Sequence, residues 1–124
     1  MGKIFIVTVK RDEDPIIPSR AFSITKYFKT EKSATNYLCE RIYLNIQQVI
    51  ENYARFMLED LPTNLLQYVE GNGENNLEYQ SIAKIKEEFK YNLEIMVTLH
   101  AFLIRTQYAK RLIDFLFEIK TIED

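Results

Sequence analysis

Glycine and proline are scarce in this chain of 124 residues, with three of each, and it has one cysteine, one histidine and no tryptophan. Each shortage excludes something. A lone Cys39 rules out an internal disulfide and fits a reducing compartment better than secretion. One cysteine and one histidine, His100, leave too few soft ligands for a tetrahedral zinc site. Gly2, Gly71 and Gly73 stand in no spacing that cradles a phosphate ahead of a helix. Generic nucleophile signatures are absent as well. No catalytic residue, metal or cofactor is therefore expected.

Long apolar runs are also missing. The longest, Ile95 to Ile104, contains Thr98 and His100 and reaches about half the length of a membrane span. The apolar run Ile4 to Val9 is too short for a signal peptide and meets Lys10-Arg11-Asp12 at once. Met1-Gly2 does not start a myristoylation motif, because Ile6 occupies the position that needs Ser or Thr. These readings predict a soluble, intracellular protein with no membrane partner.

The formal charge is −2, too small to imply a strongly charged partner. Residues 1–41 hold eight Lys/Arg against five Asp/Glu, and residues 42–124 hold eight against thirteen, a mild polarity. Hydrophobic residues at 47% and charged residues at 27% describe a globular chain, and the length suits one domain spanning 1–124. Abundant Ile, Lys, Asn and Tyr with little Ala is the bias of AT-rich coding sequence, as in many viruses, phages and some bacteria and protists.

The strongest positive signal is the stretch Thr30 to Glu59. At 100° per residue, Ala34, Leu38, Ile42, Val49, Tyr53 and Phe56 share one face, while Glu40, Gln47, Glu51 and Arg55 lie opposite. Thr30 is a suitable N-cap, Glu31 favours the first turn, and Asp60-Leu61-Pro62 ends the helix. Before it, Lys3 to Lys10 and Arg20 to Phe28 alternate as strands, joined across the acidic Asp12-Glu13-Asp14 and the prolines Pro15 and Pro18. Both faces of the first strand are apolar at its start, so it should be covered on both sides or lie within a larger sheet.

After the long helix, Thr63 to Val69 predicts a short helix, and Glu70 to Asn76 a solvated loop. That loop has a superficial calcium-loop pattern but carries Asn75 where Gly is needed and Ser81 where a bidentate Glu is needed. Ile82, Ile85 and Phe89 predict an amphipathic helix with Lys84, Glu87 and Glu88 outside. Residues 91–101 fit either period, with helix favoured and a third strand the alternative. Thr106 to Ile119 predicts a helix apolar around most of its circumference. The fold class is thus α+β: an N-terminal antiparallel β-hairpin packed on a mainly helical body of three to five helices. The expected core contains Leu38, Ile42, Val49, Phe56, Leu112, Phe115 and Leu116.

Three functional readings follow. His100 among Val97, Leu99 and Phe102 fits a packed histidine, and a Cys39–His100 nucleophile–base pair would need the fold to join them. Lys3, Arg20, Lys26, Tyr27 and Lys29 gather cations and an aromatic ring on or near the hairpin, the pattern of a nucleic-acid-binding accessory protein. With no catalytic constellation, the leading expectation is a non-enzymatic structural or protein-interaction module, contacting a protein partner or a second copy of itself. Ile113 and Phe117, off the centre of the last predicted apolar stripe, are the candidate interface.

Overall fold

The computed structural model describes residues 2–11, 22–52, 57–72, 80–106 and 115–123. The order of elements is β1 (Lys3–Arg11), β2 (Phe22–Phe28), α1 (Glu31–Asn52), β3 (Val69–Gly71), β4 (Ile82–Ile85), α2 (Leu93–His100) and β5 (Phe115–Glu123). β1 is the centre of a three-stranded antiparallel sheet in the order β2-β1-β5, and β3 and β4 make a separate two-stranded ribbon. The fold is α+β, with the expected hairpin and a body holding two α-helices and a π-helical turn, Ala101–Thr106, among the described residues. No helix there is long and apolar enough to cross a membrane.

Local chemistry explains α1. Thr30 Oγ1 accepts the Ser33 backbone N–H at 3.1 Å, and the Thr30 carbonyl accepts from Ala34 N at 3.2 Å, so the first turn is capped as its sequence implies. Ala34, Leu38, Ile42, Ile46 and Ile50 form its buried side. Steps of four residues overshoot a full turn by about 40° each, so this stripe winds around the helix as it advances. Leu38 and Ile42 are in the core as expected, whereas the side chains of Val49, Phe56, Leu112 and Phe115 fall outside the described set. α1 does not continue to Glu59: Met57 is extended and bridges Ser81, and Leu58–Asp60 is a separate 3-10 turn.

Two further expectations are corrected by pairing. Ile82 to Ile85 is a strand, held by Val69 and Glu70 opposite Ile85 and Lys84 and by Gln47 Oε1, which accepts Ile85 N–H at 2.9 Å. Residues 115–119, expected to end the last helix, belong to a strand that hydrogen-bonds β1 from Phe115 opposite Arg11 to Glu123 opposite Lys3. The third strand of the sheet is therefore β5 and not residues 91–101, of which Leu93–His100 form α2 and Ala101 opens the π-helical turn. Asn92 caps that helix, its Oδ1 accepting Ile95 N–H at 3.1 Å.

In antiparallel pairs, residues directly opposite share a face. Phe5, Val7 and Val9 of β1, Ile24, Lys26 and Phe28 of β2, and Phe117, Ile119 and Thr121 of β5 accordingly form the inner face. Val7 and Val9 are fully buried there, in one core with α1, Met96, Leu99 and Leu103. Leu116, expected in the core, is exposed, because the step from helix to strand puts it on the opposite face from Phe117.

The ribbon is closely packed where the register shifts between Glu70 and Gly71. A Cβ at Gly71 would run into Gln80 Oε1 and stand 2.6 Å from Leu58 Cδ1, and both side chains are buried. Gly71→Ala is expected to lower stability by about 1–3 kcal/mol, the usual range for overpacking. An unchanged midpoint in urea would contradict this packing.

Candidate interaction surface

The outer face of the sheet presents Ile4, Ile6, Thr8 and Lys10 from β1. Tyr27 lies beside Ile6, Thr25 beside Thr8 and Ser23 beside Lys10 on one flank. Ile122, Lys120, Glu118 and Leu116 lie beside the same four residues on the other. Tyr27 is 69% exposed, Ile122 49% and Leu116 44%, while Ile4 and Ile6 are half-buried between them. One end of the face is thus a row of Ile4, Ile6, Tyr27 and Ile122. Its middle is polar, through Thr8, Thr25 and Glu118, and Leu116 stands at the far end. Lys120 pairs with Glu118 of its own strand at 3.2 Å and reaches into solvent.

The expected site residues take up different places. Ile113 lies outside the described residues. Phe117 sits on the inner face, its ring edge-on to the His100 ring at a centroid distance of 4.9 Å. Among the nucleic-acid candidates, Arg20 lies outside the described residues. Lys3 pairs with Glu123 at 3.7 Å, and Lys26 turns inward with its Nζ 4.9 Å from the Tyr37 ring centroid. Tyr27 faces outward on the opposite side of the same strand, and Lys29 is exposed just beyond it. Strand alternation therefore divides this set between two faces.

His100 is buried, and its Nε2 is 3.0 Å from Asn45 Oδ1, also buried. With the amide oxygen accepting, the proton sits on Nε2 and the imidazole serves as a structural donor. Cys39 is fully buried on α1, and its thiol pKa is pushed up by desolvation and, secondarily, by the neighbouring Glu40 carboxylate. A nucleophilic thiol needs the reverse shift. Glu40 also accepts a 2.8 Å hydrogen bond from Tyr91 Oη, which raises the Tyr91 pKa. Among the described residues, no group of three or more His, Cys, Asp and Glu could hold a metal ion.

Sequence reasoning missed Leu116 and Ile122 as outward-facing residues. Their signal was present: from Phe117, the chain reads apolar, Glu118, apolar, Lys120, Thr121, Ile122, Glu123, which is the period of a strand with two dressed faces. Comparison of the chain with protein-family models, curated proteins and solved structures found no match.

Proposed function

We propose that this chain is a non-enzymatic protein-interaction module that uses the outer face of its three-stranded sheet. The observation that carries the reading is the row of Ile4, Ile6, Tyr27 and Ile122, apolar on a face that none of the described helices covers. A half-exposed strip of this kind, with a large aromatic at its edge and polar residues beside it, has the composition of a protein contact surface. The chemistry at Cys39 supports the non-enzymatic part, since burial keeps the thiol protonated and out of reach. The nucleic-acid alternative has less support, because Lys26 and Tyr27 point to opposite faces.

The test is affinity capture from the native source with wild type beside Tyr27→Lys, followed by mass spectrometry and a thermal melt. A partner recovered in fixed proportion with wild type and lost from the variant, at an unchanged melt, supports the reading. A partner retained by Tyr27→Lys overturns it. So does binding to single-stranded nucleic acid that weakens with added salt and with Lys29→Ala, the signature of counterion release.

A further inference from the structure

β5 is an edge strand: among the described residues it pairs with β1 on one side only. It runs nine residues, Phe115 to Glu123, with no Pro, no Gly and no break in its register with β1. Edges of this length are templates for another strand unless a charge, a bulge or a proline blunts them. The charges here are Glu118, Lys120 and Glu123, and their order decides whether they block pairing or direct it.

On the outer face, β5 reads Leu116, Glu118, Lys120, Ile122: apolar, acid, base, apolar. This order is complementary to its own reverse. An antiparallel copy centred on Ile119 sets Glu118 opposite the second copy's Lys120, and Leu116 opposite its Ile122, each contact occurring twice. Moving the centre to Glu118 would oppose two glutamates, and moving it to Lys120 would oppose two lysines. A centre between residues would turn one copy's helices to the other side of the sheet, since side chains alternate with a period of two. The opposite edge has no such match, because β2 (Phe22–Phe28) carries Lys26 and no acidic residue.

Beyond any contact made by the outer face, we infer that this chain also joins a second copy of itself, β5 to β5 about a two-fold axis at Ile119. The product is one six-stranded antiparallel sheet, with both helical layers on the same side and the two outer faces continuous. Leu116, Glu118, Lys120 and Ile122 supply the register. Opposite charges across a strand pair stabilise it and like charges directly opposite oppose it, so the Glu118–Lys120 match selects this alignment.

The experiment is sedimentation equilibrium on the full chain, with thermal melts as the folding control. Wild type is expected to dimerise. Glu118→Lys, which opposes lysines twice, is expected to weaken the dimer roughly tenfold. The double variant Glu118→Lys, Lys120→Glu is expected to restore it, because the swap regenerates the same complementarity. Oxidation of Leu116→Cys, Ile122→Cys should yield a covalent dimer linked 116 to 122, while neither single cysteine variant does so. A monomeric wild type, a dimer that the double swap fails to restore, or a 116-to-116 link overturns the edge pairing. Because Tyr27 lies on the far flank of the sheet, a monomer that still loses a captured protein on Tyr27→Lys overturns the pairing alone. A dimer accompanied by no effect of Tyr27→Lys on capture overturns the outer-face reading alone.

Discussion

Ile42→Ala is expected to lower the stability of the protein by about 2–5 kcal/mol, the range for truncating a fully buried aliphatic residue. Ile42 is completely buried at the middle of α1, in the core that α1 shares with Val7, Val9, Met96 and Leu99. The side chain is held from several sides, so the surroundings cannot collapse into the space it leaves, and the cavity term adds to the lost transfer energy. For a domain of this size the melting temperature should fall by roughly 8–20 °C. Leu44, two residues on and 48% exposed, supplies the control: Leu44→Ala should stay within about 0.5 kcal/mol of wild type. Chemical denaturation of both variants makes the comparison. Equal effects at the two positions would show that α1 is not rotated as described.

A second large contrast is expected between two neighbours. Phe117→Lys should destabilise the protein by about 2–3 kcal/mol, a partly buried version of the loss seen on removing a core aromatic. Its ring packs edge-on against buried His100 and borders the core, and a lysine there must either bury its ammonium or withdraw. Leu116→Lys, one residue away on the outer face, should leave the melt within about 0.5 kcal/mol of wild type. Thermal melts at a concentration low enough to keep the protein monomeric isolate the effect on the fold. In a helix, residues 116 and 117 would be 100° apart and respond more alike; in a strand they respond oppositely. A large loss in Leu116→Lys would therefore argue against β5.

What could be read from the sequence depended on whether the deciding interaction was local. The start of α1 was legible because Thr30, Ser33 and the four-residue spacing from Ala34 through Leu38 to Ile42 act within one or two turns. The hairpin was legible because Phe5, Val7 and Val9 alternate, and because Ile24 and Phe28 alternate to meet them. Ile82 and Ile85 misled because a spacing of three suits a helix, and their strand is decided by Val69, Glu70 and the side chain of Gln47, 38 residues earlier than Ile85. Residues 115–119 misled in the same way. Read with the apolar residues preceding them they suggest a helix, and only the vacant side of β1 turns them into a strand. The outer face followed from that error, since Leu116 and Ile122 become surface residues only once β5 exists. The buried Asn45–His100 pair joins α1 to the end of α2, a contact that no short window can display.

The register that sets Lys3 opposite Glu123 also has a kinetic consequence. β1 finds β2 through a connection of ten residues, from Asp12 to Ala21, but finds β5 only by closing nearly the whole length of the described chain. The entropy of closure rises with the logarithm of the distance spanned, and such distant pairings come late and slow the folding of the whole domain. In the interval, β1 has already lined up Phe5, Val7 and Val9 beside one free edge, while the strand meant to occupy it is still being made. A chain in which β1 and β2 have paired but β5 has not yet docked is thus exposed to mispairing along that free edge.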